Sequence, residues 1–416
     1  MLRMLYNLAL FVFVIVCLPK WIWEALKYKK HRRSFLEKFG IGLPDFQFSK
    51  KGPRIWVHSI SVGETKAVAP LIKQLKEKAP DVSVVISTVS ETGLEEAQRS
   101  IPNADHYFYF PLDFSWIIKR LMKKIKPDLL ILVEGDFWFN LIDLAPHVAL
   151  VNGRISEKSL SRFKKVSFFS KRLFGKMELL CVQSERYAER FTELGVDLKR
   201  IVVTGNLKFD QLQHPIDKSK WRTDLGLLPT DRVLTLASTH DPEEELLLDA
   251  LSPLLKEFPN LKILIVPRHP ERFGEVASLL EKKGIDFNRY SDTVKEPHRR
   301  VLLVDAMGIL SSCYQLSELA IVGGSFITRL GGHNIFEPAA LGVPVLFGPS
   351  MYSQKDLVEL VLHAGAGRQV NLHNVASAVQ EILTYSPSPM HSAGLKLASQ
   401  VHGSTLRTFQ ALESRL

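Results

Sequence analysis

The chain has 416 residues, 46% hydrophobic and 24% charged, with a formal net charge of +10. That length exceeds one ordinary α/β core and fits two domains of roughly 150–200 residues each, while the balanced composition excludes a disordered or fibrous chain. The positive balance favours an anionic partner (phospholipid, a phosphorylated substrate or nucleic acid), and three widely spaced cysteines, Cys17, Cys181 and Cys313, exclude a disulfide framework or a zinc site and fit a reducing, cytosolic setting.

Leu8 to Leu18 is an unbroken apolar run (LALFVFVIVCL), and with its flanks the apolar stretch reaches from Met4 to Trp23. About 20 residues are just enough to span a hydrocarbon core of ~30 Å. Pro19 and Lys20 interrupt the far end, so a half-inserted or interfacial helix is the alternative. Trp21 and Trp23 suit the headgroup boundary, and a basic cluster follows: Lys27, Lys29, Lys30, Arg32 and Arg33. The segment Pro19-Lys20-Trp21-Ile22-Trp23 is no small-residue cleavage site, and positive charges directly after the run keep that side in the cytoplasm. The expectation is an uncleaved anchor with a cytoplasmic body.

Beyond it, short β-rich runs alternate with charge-laced helical stretches, the pattern of repeated βα units and a parallel sheet. Predicted strands in the first half are Arg54–His58, Val82–Ser87, Leu129–Val133, Val148–Val151, Leu179–Val182 and Ile201–Thr204. Those in the second are Val233–Ala237, Lys262–Val266, Val301–Val304, Leu319–Val322 and Pro344–Phe347. Asp210–Thr230, polar and without a strong period, reads as the linker. Two Rossmann-like domains facing a cleft are the expected α/β architecture.

In the first half, the strand Arg54–His58 runs into Ser59-Ile60-Ser61-Val62-Gly63-Glu64. A carboxylate opening a helix at a strand's end could serve as a general base. The competing reading is a helix-start glutamate favoured by the dipole. Glu134 follows the buried-looking run Leu129–Val133. From Arg154 to Lys176, basic residues (Lys158, Arg162, Lys164, Lys165, Lys171 and Arg172 among them) surround Leu160, Phe163, Val166, Phe169 and Leu173. Their spacing of three and four predicts one amphipathic helix with a cationic face, suited to a membrane surface or simply to solvent. No nucleic-acid-binding fold or stacking motif accompanies it. Lys208 lies in Gly205-Asn206-Leu207-Lys208-Phe209-Asp210, where the halves join.

In the second half, Arg268 and His269 follow the strand Lys262–Val266 between Pro267 and Pro270, where a planar guanidinium suits a phosphate. Asp305-Ala306-Met307-Gly308-Ile309 follows the strand Val301–Val304. The densest constellation ends the strand Leu319–Val322: Gly323, Gly324 and Ser325, then Gly331, Gly332, His333 and Asn334, then a helical Ile335-Phe336-Glu337-Pro338. Glycines let backbone approach a ligand, and the first helical amides suit a phosphate, with Glu337 placed to accept from a sugar hydroxyl. A Rossmann oxidoreductase would need G-x-G-x-x-G after an early strand, and His58–Glu64 holds one glycine.

Five segments together, HSISVGE (His58–Glu64), GNLKFD (Gly205–Asp210), STH (Ser238–His240), PRHPERF (Pro267–Phe273) and GGSFITRLGGHNIFEPAALGVPVLFGP (Gly323–Pro349), resemble the bacterial Kdo (3-deoxy-D-manno-octulosonic acid) transferases in residues and order. The resemblance covers nearly the whole chain and implies the GT-B architecture. Residues 1–30 would be the membrane anchor and basic flank, 31–212 the acceptor domain and 213–230 the linker. Residues 231–395 would bind the CMP-sugar, and 396–416 would return as a helix towards the first domain. It further implies an inverting transfer of Kdo from CMP-Kdo to a lipid A precursor (lipid IVA) at the bacterial inner membrane. No metal or cofactor is needed, inner-membrane phospholipid is a partner and nucleic acid is not. Glu64 matches the general base, and Glu134 and Lys208 match residues supporting the transition state. Arg268, His269, Met307, Gly308, Ile309, Asn334, Ile335, Phe336 and Glu337 match the CMP contacts, and Lys208, Arg268 and the Asn334 helix start would hold the departing phosphate.

The chain departs from that pattern at Gly135-Asp136, commonly Thr-Glu, and at Phe139, commonly Pro. After Gly348-Pro349 it reads Ser-Met-Tyr-Ser-Gln where relatives carry an aromatic-Asn pair. Alternatives are another membrane-associated GT-B enzyme with a different nucleotide-sugar donor, a sugar-nucleotide epimerase, for which an anchor has no use, or a non-catalytic anchored binding protein.

Overall fold

The computed structural model describes residues 1–27, 31–49, 51–210, 215–385 and 388–413. Lys29 and Lys30 of the basic cluster, and residues 213 and 214 of the expected linker, lie outside them. The chain divides into two compact units: unit 1 comprises residues 1–211 and 403–416, and unit 2 comprises 212–402.

Unit 1 holds β1 (Arg54–His58), β2 (Ser83–Thr88), β3 (His106–Tyr109), β4 (Leu129–Val133), β5 (Val148–Gly153), β6 (Leu179–Val182) and β7 (Ile201–Val203). They form one parallel sheet in the order β3-β2-β1-β4-β5-β6-β7. A parallel sheet is covered on both faces, so its central strands read as continuous apolar runs. In β4, all five residues of Leu-Leu-Ile-Leu-Val are buried. The two-residue period then sorts side chains by face. Trp56, Leu130 and Leu132 join one cluster, and Ile55, Val57 and Ile131 join the other, beneath the helix Val62–Lys78. Each such side chain taken fully out of water contributes about 1.5–3 kcal/mol. The C-terminal helix Ser404–Glu413 belongs to this unit, with Phe409 and Leu412 buried in the same cluster as Ile55.

Unit 2 repeats the plan with β8 (Arg232–Thr239), β9 (Leu261–Pro267), β10 (Phe287–Arg289), β11 (Val301–Leu303), β12 (Leu319–Val322), β13 (Val345–Phe347) and β14 (Gly367–Gln369). These too pair in parallel, in the order β10-β11-β9-β8-β12-β13-β14. The pair of α/β units is GT-B-like. Strand order reverses between β1 and β4 in one sheet and between β8 and β12 in the other. Loops leaving the carboxyl ends of strands at such a reversal are where open α/β sheets hold ligands.

Three features differ from the sequence reading. β3, β10 and β14 went unpredicted, and all three are edge strands of three or four residues with polar members, which carry little apolar signal. The stretch read as a linker contains a helix, Lys218–Asp224, capped by Asp217, with Leu225 and Leu227 buried in unit 2 behind it. The basic amphipathic segment is two helices, Glu157–Lys165 and Ser167–Gly175, broken at Val166, whose φ of −117° and ψ of 49° are not helical.

Candidate functional site

The first constellation stands at the β1/β4 reversal. Ser61 caps the helix Val62–Lys78, its hydroxyl accepting from the Glu64 amide at 3.3 Å. Glu64 reaches back across the cap: its carboxylate accepts from the amide of Ile60, one residue before the N-cap, at 2.7 Å and from the Ser61 hydroxyl at 3.1 Å. The side chain is thereby held in one orientation. It also lines a cavity of about 490 Å³ with Glu134, Asp136, Arg154, Phe163 and Tyr187. Burial pushes the Glu64 carboxyl above its ordinary value, and the Glu134 charge adds to that, while Lys208 and the two donors act against it. Cap and cavity wall are the same residue, so the two sequence readings of Glu64 are compatible.

Glu134 ends β4 with φ of 67°, a left-handed conformation uncommon outside glycine, and its side chain is buried. Its carboxylate meets Lys208 in an ion pair, Arg154 at 2.9 Å and the Asn152 amide group at 3.3 Å. Two cations and a neutral donor compensate a buried charge that would otherwise be very costly. Asn152, also at positive φ (54°), accepts from the Leu207 amide at 3.0 Å and so ties the Lys208 turn to Glu134. The turn is held from its other end by Asp210, which accepts from the Gly403 amide at 2.7 Å and from Thr405. At Gly205 (φ 90°) a Cβ would come within 2.4 Å of the Ser404 hydroxyl, so only glycine fits. Asp136 completes the wall. One of its oxygens is buried without a hydrogen-bond partner, and burial, then Glu64 and Glu134, pushes its carboxyl up to about 6.

In unit 2, the glycine block follows β12 at the β8/β12 reversal, and its amides are already engaged. The buried carboxylate of Glu243 accepts from the backbone of Gly324 (2.6 Å), Ser325 (3.1 Å) and Phe326 (2.9 Å), and from His240 (3.1 Å). A Cβ on Gly323 would lie 2.7 Å from Glu243 and 2.9 Å from the Thr239 backbone, which accounts for that glycine. Likewise, the amides that open the helix Phe336–Ala340 donate to the Asn334 side-chain oxygen, at 3.0 Å from Phe336 and 3.3 Å from Glu337. These two sets of amides are thus engaged by the chain's own Glu243 and Asn334.

Around this loop three histidines converge. His240, following β8, is hydrogen-bonded to His333 through their Nε2 atoms at 2.8 Å, and the His269 ring stands edge-on to it at 5.2 Å. Burial first, then the neighbouring histidines and arginines (Arg268 among them), pushes His240 and His333 down to about 4, so both are neutral near pH 7. Arg268 and His269 are exposed at the end of β9. Gly308 takes φ of 86° between the exposed Met307 and the half-buried Ile309, while Ile335 and Phe336 are buried and Glu337 is half-buried. Among the described residues, no group of three or more His, Cys, Asp or Glu side chains is placed to hold a metal ion.

Unit 1 therefore brings Glu64, Glu134 and Lys208 to one switch point, and unit 2 gathers Arg268 and His269 beside the glycine block. Sequence reasoning assigned no role to Glu243, Asn152 or the His240–His333 pair, and placed Arg154 only in a basic patch. Asn152-Gly153 at a strand end is a turn signal that could have pointed to Asn152, whereas Glu243 is hidden in a run of three helix-start glutamates.

Comparison with known proteins places the chain in a family. The family model described as 3-deoxy-D-manno-octulosonic-acid transferase (kdotransferase) matches residues 33–211. The 3-deoxy-D-manno-octulosonic acid transferase of Chlamydophila psittaci is 35% identical over 388 residues, 92% of this chain and 88% of that protein. The Haemophilus influenzae enzyme of the same name is 30% identical over 412 residues, covering 94% and 93%. In structure, UDP-GlcNAc 2-epimerase from Neisseria meningitidis aligns with a TM-score of 0.63 over 87% of this chain and all of its own, at 14% identity, a likeness of fold alone. With relatives at 30% identity or more spanned over most of their length, the chain belongs to the 3-deoxy-D-manno-octulosonic acid transferase family and is a glycosyltransferase.

Proposed function

We propose that the enzyme takes Kdo from CMP-Kdo and transfers it, with inversion, to a hydroxyl of a lipid A precursor at the cytoplasmic face of a bacterial inner membrane. The observation that carries this reading is the convergence of Glu64 and the Glu134–Lys208–Arg154 network on one cavity at the β1/β4 switch point. In the proposed reaction Glu64 takes the acceptor hydroxyl's proton. The hydroxyl oxygen bonds to the anomeric carbon as the bond from that carbon to the CMP phosphate oxygen breaks, and the electron pair leaves with CMP. A raised carboxyl pKa suits a base that must take a proton near neutral pH. Glu134 holds Lys208 and Arg154 in fixed positions, and preorganised charge of that kind costs no reorganisation during reaction.

In unit 2, Arg268 and His269 would contact the donor's phosphate. Met307, Gly308 and Ile309, with Asn334 to Glu337, would form the rest of the CMP site. Asn334 and Glu243 then serve by shaping their loops, since their own carbonyl and carboxylate occupy the amides. The donor carries one phosphate, so the charge developed on leaving is modest and fixed cations can meet it without a cofactor. The Leu2–Lys27 helix would bring the body to the membrane where the acylated acceptor resides. Mass spectrometry of products made from CMP-Kdo and a tetra-acylated disaccharide acceptor tests the reading. A mass increase of one or more Kdo units supports it, and turnover with a different nucleotide sugar but not with CMP-Kdo overturns it.

A further inference from the structure

The helix Leu2–Lys27 is long and apolar enough to cross a bilayer, yet it is fastened along unit 1. Its attached face runs through Arg3, Tyr6, Asn7, Leu10 and Val14, at the three-and-four spacing of one helix side. Arg3 is ion-paired with Asp143, which also binds Arg172 at 2.9 Å. The Tyr6 ring lies 5.3 Å from that of Phe139 and stacks on Phe169. Asn7 is bound three times: it donates to the Ser115 hydroxyl at 2.8 Å and accepts from Asn140 at 2.9 Å and from the Ser115 amide at 3.3 Å. Val14 is buried in the unit 1 core, and Trp21, near the other end, packs against the same cluster.

Attachment at both ends is incompatible with crossing. A helix of 26 residues is about 39 Å long, and in a spanning pose its ends would stand on opposite sides of ~30 Å of hydrocarbon. Arg3 and Asn7 could not then reach the folded body that Trp21 also touches. The opposite face is a stripe of exposed apolar side chains, Met4, Leu8, Phe11, Val12, Ile15 and Val16, each more than half exposed. Apolar exposure continues beside the clamp at Trp116, next to Ser115, and at Phe168, next to Phe169. Exposed Lys119 and Lys171 on the same helices, and Lys165 at the end of the helix before Phe168, supply positive charge. A stripe of this size with a cationic border fits an anionic phospholipid surface.

We infer that the N-terminal helix is a monotopic anchor: clamped to unit 1 through Arg3, Tyr6 and Asn7, it lays its Met4–Val16 stripe into the leaflet nearest the body, with the N-terminus on the same side as that body. This rests on the membrane location proposed above and replaces the spanning pose with an in-plane one. The clamp keeps the cavity of unit 1 at a fixed attitude to the lipid surface.

Two experiments on the full chain decide it. A protease-cleavable tag before Met1 is probed in inverted inner-membrane vesicles, whose cytoplasmic face is outward. Cleavage without detergent is expected, and a protected tag on membrane-bound protein overturns the inference while leaving the membrane location standing. Recovery wholly in the soluble fraction overturns both. In the same vesicles, Asn7→Cys with Ser115→Cys, in a Cys17→Ser background, is expected to form a disulfide on mild oxidation; failure to do so overturns the clamp. As a third arm, Leu8→Asp with Phe11→Asp is expected to lower binding to phosphatidylethanolamine/phosphatidylglycerol vesicles by ~10²-fold with unchanged melting, because both side chains are exposed. Unchanged vesicle binding overturns the role of the stripe.

Discussion

Lys208 is ion-paired with the buried carboxylate of Glu134, and Asn152 ties the turn that carries the lysine to the same carboxylate. The pair predicts a separation of stability from activity. Lys208→Met leaves Glu134 with Arg154 as its cation and is expected to cost about 1–3 kcal/mol, less than a fully buried pair because the lysine is partly exposed. Adding Glu134→Gln removes the buried charge that has lost one of its two cations and should return most of that loss. Turnover should fall at least ~10-fold in both variants if the fixed charge assists the transfer. Denaturation curves and initial rates on the same preparations check it, and recovery of turnover in the double variant would contradict the electrostatic role.

Replacing Glu64 should separate chemistry from binding. Glu64→Ala is expected to cut turnover by ~10²-fold or more with CMP affinity unchanged. Its cap bonds to Ile60 and Ser61 are also lost, at about 1 kcal/mol. Glu64→Gln retains an oxygen for those bonds and should melt closer to the native chain while remaining as slow as the alanine variant. Activity in the glutamine variant near that of the native chain would show that Glu64 only caps its helix.

The pH profile carries a second signature of the same residue. A general base works in its ionised form, so the rate rises with pH through the Glu64 pKa, and burial places that rise above the usual carboxylate range. Asp136, itself pushed up to about 6, is coupled to Glu64 through their like charges. Asp136→Asn should move the acid limb of kcat/KM to lower pH, because one neighbouring negative charge is gone. Lys208→Met should move it upward, because the cation that favours ionised Glu64 is gone. Shifts in the opposite directions would remove Glu64 from the acid limb.

Glu243 offers a test in unit 2. Its carboxylate alone satisfies three consecutive amides of the glycine block, so Glu243→Ala leaves buried N–H groups without acceptors and is expected to cost about 2–4 kcal/mol. The loop should loosen with it, and CMP affinity, measured by calorimetry, should fall while unit 1 melts as before. Retained affinity would mean the donor does not depend on that loop's shape.

Much of this was legible from the chain because parallel sheets write long apolar runs into the sequence: Leu129–Val133 and Leu319–Val322 coincide with β4 and β12. Short edge strands do not, which is why Gly367–Gln369, with an arginine and a glutamine, passed unread. Glu64 and Glu134 were readable as carboxylates at strand ends. The partners of Glu134 were not, since Arg154, Asn152 and Lys208 reach it only through the folding of β5 and the Leu207–Asp210 turn. The glycine block showed where backbone is closely approached without showing by what. The approaching groups are Glu243 and His333 of the same unit, and no local pattern announces a contact from another segment.

That closeness of His333 to His240 sets a final expectation, for stability against pH. Their Nε2–Nε2 hydrogen bond needs one ring to donate and the other to accept, so it is lost when both are protonated. Folded, both have pKa values near 4, against about 6.5 when unfolded. The unfolded chain therefore binds more protons between those values, and the pair's contribution is complete above pH 6.5 and disappears as pH falls towards 4. Carboxyls raised by burial, such as Glu243, act in the opposite sense, so the pair is isolated by difference. Unit 2 of a His333→Gln variant should lose less stability than the native chain between pH 6.5 and 4.5, followed by denaturation at each pH. Equal losses would show that the two rings are charged in the fold and that burial, with Arg268 and His269 nearby, does not hold them neutral.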